Sequence, residues 1–485
     1  MVFSSHLFLF YFLPLALLLY YAAPRRGKHV ILTLLSYLFY GWANPAFVLL
    51  MFTSTIIDYV CGLIIARQFG CSWRAPVEQL ARGATRSRSQ RGALMVSICA
   101  NLCLLGFFKY FNFAAGSYDA VVSALGLGNL RLDIWYRITL PLGISFYTFQ
   151  SMSYSIDVYR GDAKAIRNFT DFACYVAMFP QLVAGPIIRF QELADQLESR
   201  RHTMEKFARG VAFVCLGLGK KVLLANPCGK VADMVFNAGS AEVLDAWYGV
   251  TAYAFQIYYD FSGYSDMAIG LGLMLGFVFP KNFDSPFHCE SITDLWSRWH
   301  LSLSTWLRDY LYVPLGGNRG SSVRTYFNVA AVMVIGGLWH GASWNYVIWG
   351  GIHGTMLVLE RLNGRRTVYR FLPRPARIAV TFVIIHFTWV FFRSPDLGAA
   401  VTFLGGMFGV TNVSSGAGLI AGLIYRPYYL LSFLAAATIV WASPQTWDFT
   451  RRLSWPKIAW IFVVLAAAIV ALTTQGFNPF IYFIF

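Results

Sequence analysis

The chain has 485 residues, of which 57% are apolar, 17% aromatic and only 13% charged. Soluble domains carry roughly 25% charged residues, so the composition excludes a set of water-exposed domains, and its apolar excess excludes a disordered chain. What remains is an all-α polytopic integral membrane protein, whose net charge of +16 is read as basic cytoplasmic loops and contact with membrane lipid.

Nucleic acid is not expected as a partner, because the aromatics sit in apolar runs and no nucleic-acid motif is present. Apolar runs near the ~20 residues that span a bilayer fall at 5–23, 30–43, 46–66, 93–113, 138–158, 207–225, 246–260, 263–279, 325–341, 343–360, 377–394, 428–443 and 458–475. Several are short or broken by Gly and Pro, which gives about 10–12 passes. The first run has no basic residues before it and ends at Pro24-Arg25-Arg26-Gly27-Lys28. It reads as a first membrane helix and not as a cleaved leader.

Basic loops set the orientation. Residues 67–91 carry Arg67, Arg74, Arg82, Arg86, Arg88 and Arg91 against Glu78 alone. Further basic stretches lie at 361–377 and at Arg451, Arg452 and Lys457. Placing all three inside leaves both termini outside, with 70–91 expected as a flexible basic cytoplasmic loop. The apolar stretch 169–187 has basic flanks on both sides and contains Pro180, Gly185 and Pro186. It is expected to re-enter and not to cross, lining a cavity that opens to the cytoplasm. No repeat or second soluble domain is evident, so residues 1–485 are expected to form one membrane domain.

Polar residues in apolar sequence are costly and default to functional hypotheses. Asp260 and Asp266 stand six residues apart in the run 256–266, and fit polar packing or a cavity wall better than a catalytic acid pair. At about 100° per residue, residues 294–311 place Leu295, Trp299, Leu303, Trp306, Leu307 and Tyr310 on one face. Asp294, Arg298, Thr305, Arg308 and Asp309 fall on the other, which predicts an amphipathic interfacial helix. His300 sits at the edge of the apolar face, either as a packing hydrogen-bond donor or on the wall of a reaction chamber.

Gly336-Gly337-Leu338-Trp339-His340-Gly341 puts a His in an apolar helix between small residues. Glycines let a ligand or a second backbone come close. A neutral, desolvated imidazole can act as a general base near pH 7, and the alternative is a hydrogen-bonded core His. His353 and His386 lie in apolar runs and read as packing residues. The eight Cys form no CxxC pair and read as small buried hydrophobes. No HExxH or HxH is present, so no metal is expected, and GxSxG and the P-loop are absent.

Arg298-Trp299-His300 and Leu338-Trp339-His340-Gly341 are joined by Phe179-Pro-Gln-Leu-Val-Ala-Gly-Pro186, Tyr259-Asp-Phe-Ser-Gly-Tyr-Ser-Asp266, Pro280-Lys-Asn-Phe-Asp-Ser-Pro286 and Tyr312-Val-Pro-Leu-Gly-Gly-Asn318. Taken in this order, they resemble the membrane-bound O-acyltransferase (MBOAT) family. The branch is the one that holds the alginate O-acetyltransferase membrane subunit and the teichoic-acid D-alanyl transferase.

The resemblance implies a ring of transmembrane and re-entrant helices around a central channel. His340 matches the family's catalytic His, and His300 its second polar position, which would orient the acceptor or stabilise the oxyanion. Acetyl-CoA is the implied cytoplasmic donor, with no resident cofactor. Periplasmic or membrane-anchored acetyltransferase partners at the bacterial inner membrane would place acetyl on an exported polysaccharide, alginate first. Cellulose or another exopolymer, D-alanyl transfer within the same family, and a transporter or flippase are the alternatives. The Arg- and Ser-rich stretch 70–91 resembles an insertion in that pattern.

Overall fold

The computed structural model describes residues 1–71, 77–183, 185–411, 413 and 417–481. Residues 72–76, with Arg74 of the expected loop, and Ala184 of the expected re-entrant stretch lie outside the described residues. The described residues are helical, with no strand among them. Among the described residues, four helices are long and apolar enough to cross a membrane: Ala46–Ile65, Arg88–Ala124, Arg374–Arg393 and Trp455–Thr474. A bent pair, Gly418–Ile424 and Pro427–Ala442, makes a fifth if counted as one span. That is fewer than the passes expected from apolar runs. The other runs become helices that are shorter, broken or buried in protein, where polar side chains lower the hydropathy at no cost.

The chain divides into two compact units. One comprises residues 5–203 with 275–279. Its longest helix, Arg88–Ala124, begins inside the expected flexible loop. Ser87 is the reason: its hydroxyl accepts the Gln90 N–H at 3.2 Å while Gln90 Oε1 accepts the Ser87 N–H at 2.9 Å. This is a capping box, which satisfies two helix-end donors at once. Two other residues of the loop bond at the end of helix Ile144–Arg160, where Arg86 Nε donates to the Tyr159 carbonyl and Gln79 Nε2 to the Gly161 carbonyl, each at 2.7 Å.

The stretch 169–187 is broken as its prolines predict, into helices Phe169–Ala177 and Phe179–Leu182. Buried side chains satisfy its irregular backbone. Gln181 Nε2 donates to the Tyr175 carbonyl at 2.6 Å, and Ser36 Oγ accepts the Phe179 N–H at 3.0 Å.

The second unit comprises residues 2–4, 204–274 and 280–485. The two runs expected at 246–260 and 263–279 are one 32-residue helix, Val243–Met274. Gly263 does not interrupt it. A Cβ there would meet the Gly217 carbonyl at 2.7 Å, and a Cβ on Gly270 would meet the Gly210 carbonyl at 2.6 Å. The glycines therefore mark where this helix and Met204–Gly219 pack backbone against backbone.

Asp260 and Asp266 are structural, as expected. The π-helical turn Lys220–Ala225 sends adjacent lysines to different carboxylates, Lys221 to Asp260 at 2.6 Å and Lys220 to Asp266 at 2.7 Å. His353 and His386 pack as expected. His353 Nδ1 accepts the Trp296 indole N–H at 3.4 Å, and His386 Nδ1 lies 2.6 Å from the Phe382 carbonyl. Five Cys are buried, but Cys71, Cys99 and Cys103 are exposed; the last two lie on the long helix Arg88–Ala124, little of which is covered by protein.

Residues 294–311 correct the sequence reading. The apolar face is buried as the periodicity predicts, Leu295, Trp299, Leu303, Trp306, Leu307 and Tyr310 included. The helix is not continuous. It runs Ile292–Trp296, stops, and resumes as Leu301–Leu307 and the π turn Arg308–Tyr312. Segment 282–284 takes the groups that a continuous helix would use: the Asp284 N–H donates to the Arg298 carbonyl, and the Asn282 carbonyl accepts the Leu301 N–H, each at 2.9 Å.

Candidate functional site

His340 is the last residue of helix Ser322–His340, which starts at Ser321, whose hydroxyl accepts the Arg324 N–H at 3.3 Å. The helix ends because Gly341 turns to extended backbone, φ −159° and ψ 150°. The next helix, Trp344–Leu362, returns against it. A Cβ on Gly337 would strike the Tyr346 carbonyl, and one on Gly350 the Met333 carbonyl, so two glycines set the close crossing. The His340 ring is held edge-on between Trp349 and Phe392, with centroids 5.4 and 5.3 Å away.

His300 occupies the break between Ile292–Trp296 and Leu301–Leu307, with φ 45° and ψ 55°. A non-glycine residue in this left-handed region is strained and persists only when its surroundings over-determine it. They do. Glu360, itself buried, accepts the Ile292 and Thr293 N–H groups at 2.9 Å each, fixing the preceding short helix. Asn282 holds the other side: its Oδ1 lies 3.2 Å from His300 Nδ1 and accepts the Ser302 N–H at 3.2 Å.

The His300 ring has 0% exposure and stands edge-on to Phe261, with centroids 4.6 Å apart. Burial, and then the neighbouring His340, hold its pKa well below the usual imidazole value, so the ring is neutral at physiological pH. The two imidazole centroids are 6.4 Å apart.

Two cavities meet at His340. The larger, about 600 Å³, has apolar walls that include Leu301, Leu307, Met333 and Trp349, with Arg308, Arg361 and Arg365 also lining it. Arg308 and Arg365 are exposed, so the cavity reaches the surface at its arginine end. The smaller, about 10 Å³ and so no more than a one-water gap, is lined by aromatic side chains, Ile257 and Ile481. His340 therefore has a route to the surface. His300 lines neither cavity; its ring packs against Phe261, which lines the smaller one.

A half-buried imidazole between an open, arginine-mouthed cavity and an aromatic one can take a proton from a nucleophile that meets a long anionic donor there. Sequence reasoning placed both imidazoles but missed Asn282 and Glu360, which hold His300 in place. Asn282 lay inside a motif quoted for resemblance alone. Arg361 and Arg365 were read as topology signals and Arg308 as part of a polar helix face, and only the fold brings the three to one cavity.

The description "MBOAT, membrane-bound O-acyltransferase family" matches residues 162–394, which include His300 and His340. The chain is similar to "Probable alginate O-acetylase AlgI" of Azotobacter vinelandii, 40% identical over 518 residues and covering 100% of both chains. It is similar to the protein of the same description in Pseudomonas aeruginosa, at 44% identity over 89% of this chain and 81% of that one. It is also similar to "Peptidoglycan O-acetyltransferase" of Helicobacter pylori, at 33% identity over 85% of this chain and 81% of that one.

Proposed function

This chain belongs to the membrane-bound O-acyltransferase family, and from that premise we propose that it carries acetyl from cytoplasmic acetyl-CoA to a hydroxyl across the bacterial inner membrane, for O-acetylation of exported alginate. The observation that carries this reading is His340 standing where the two cavities meet. The larger cavity suits the pantetheine arm of the donor, with its apolar walls along the arm. Arg308, Arg361 and Arg365 suit the phosphates, which guanidinium groups bind through paired N–H donors.

The acceptor hydroxyl attacks the thioester carbonyl as His340 removes its proton. The C–O bond forms, the tetrahedral intermediate collapses, and the C–S bond breaks. The proton held on the imidazole passes to the departing thiolate, so no net charge is left in the site. His300 assists at the hydroxyl: its ring centroid is 6.4 Å from that of His340, and because it lines neither cavity the hydroxyl has to enter past His340 to reach it.

The product is handed to periplasmic or membrane-anchored acetyltransferase partners, and both termini face that side. Alginate is favoured over another polymer because the relatives named for it match the full chain at 40% identity, above the 33% of the peptidoglycan enzyme. The test is transfer of radiolabelled acetyl from acetyl-CoA into polymer by membranes from alginate-producing cells. His340→Ala at normal protein level is expected to lower transfer by about 10²–10⁴-fold. Wild-type transfer by that variant would end the proposal.

A further inference from the structure

The bonding of Asn282 fixes a proton position. Its Oδ1 faces three groups: the Ser302 N–H at 3.2 Å, the Ser302 hydroxyl at 2.9 Å and His300 Nδ1 at 3.2 Å. A main-chain N–H can only donate, so the amide atom facing Ser302 is the oxygen, whichever way the amide is drawn. An amide oxygen can only accept, so the His300 Nδ1 facing it carries the hydrogen. Ser302 Oγ gives the same answer. Its one hydrogen goes to Asn282, so toward His300 Nδ1, 3.4 Å away, it can only accept. A neutral imidazole has one ring hydrogen, and Nε2 is left with a lone pair. Nε2 is buried, with no hydrogen-bond partner among the described residues.

The other end of the amide is accounted for as well. Asn282 lines a small gap of about 10 Å³, room for about one water, with Ser262, Ser265, Lys220, Asp266 and Thr446. Asn282 Nδ2 and the hydroxyls of Ser262 and Ser265 are all buried without a partner among the described residues. A polar space of this kind accommodates the NH₂ end, so the two ends of the amide are sorted, oxygen to the imidazole and nitrogen to the cavity.

We propose that Asn282 is a positioning residue that locks His300 as the Nδ1–H tautomer, so that Nε2 accepts a hydrogen bond from the hydroxyl being acylated. This rests on the reading in which His300 and His340 share the transfer step. It removes the oxyanion-donor role for His300, because the only N–H of the neutral ring is already committed to Asn282. The other titratable groups facing this site are His340 and, across the polar cavity, the Lys220–Asp266 pair and Lys281.

The experiment measures kcat, KM and pH profiles of the full chain in membranes from alginate-producing cells, with radiolabelled acetyl-CoA as the donor. Asn282→Ala frees the ring to take either tautomer, and kcat is expected to fall about 10–100-fold, as for other groups that orient a functional imidazole, with KM for acetyl-CoA within about twofold. Asn282→Asp keeps an acceptor at Nδ1–H and adds a negative charge. It is expected to stay active, with the acid limb of its profile moved about one unit to higher pH, because the anion favours the protonated ring.

Wild-type kcat in Asn282→Ala overturns the proposal. So does an unshifted profile, or loss of activity at normal protein level, in Asn282→Asp. If Asn282→Ala does not accumulate, the Asn282→Asp profile decides. His300→Ala and His340→Ala serve as controls: wild-type transfer in both sinks the underlying reading, whereas inactive controls beside unaltered Asn282 variants sink this inference alone.

Discussion

At the scale of single residues, the three arginines and His340 make separable contributions. Arg361 and Arg365 line the larger cavity, and in the proposed reading they hold the donor's phosphates and not its reacting carbonyl. Binding that is equal in ground and transition states changes KM and not kcat. The double variant Arg361→Ala/Arg365→Ala is therefore expected to raise KM for acetyl-CoA about tenfold, which is ~1.4 kcal/mol, with kcat near wild type. Raising the salt should weaken donor binding to the wild type more than to the variant. Steady-state kinetics at two ionic strengths checks both. His340 stood out in the sequence as a His between glycines in an apolar helix, but a hydrogen-bonded core His was the alternative, and the resemblance put the proposed catalytic role on it. Asn282 did not stand out, because its importance depends on where residues 300–302 come to lie.

At the scale of elements, two packing devices hold the site. The crossing of Ser322–His340 with Trp344–Leu362 depends on Gly337 and Gly350, where a Cβ would meet the opposing main chain, whereas nothing lies within 4 Å of a Cβ on Gly351. Gly337→Val is expected to cost at least the ~1–3 kcal/mol of ordinary overpacking and to lose activity with it. Gly351→Ala is expected to be silent, and thermal unfolding in detergent separates the two.

The buried pair Lys221–Asp260 is the second device. Asp260 Oδ2 also accepts the Ile481 N–H at 2.9 Å, so the pair anchors the chain near its C-terminal end. Lys221→Met leaves a buried carboxylate alone and is expected to cost about 3–5 kcal/mol. Adding Asp260→Leu is expected to recover much of that, read as a rise in Tm over the single variant.

At the scale of the whole molecule, composition settles the class and loop charge gives the proposed orientation. Reporter fusions test it: a periplasmic reporter should be active after residue 481 and silent at residue 82, and the reverse pattern would invert the topology. Element existence was largely legible, since helices Ala46–Ile65, Arg374–Arg393 and Trp455–Thr474 fall on expected runs. The number of spans was not, because a buried helix and a lipid-facing one can share an apolar sequence.

The interfacial stretch 294–311 shows where the division lies. Which side chains face inward was set by the helical period, and the structure buries those residues. Where the helix breaks was set by main-chain hydrogen bonds, one accepted by the Asn282 carbonyl and one donated by the Asp284 N–H, which no local pattern encodes. Sequence alone determined a membrane-embedded helical protein with two imidazoles in apolar surroundings, because composition and periodicity are local properties of the chain. The tertiary structure decided which ring nitrogen carries the hydrogen, which arginines share a cavity and which carboxylates are neutralised, because each depends on groups brought together from distant parts of the chain.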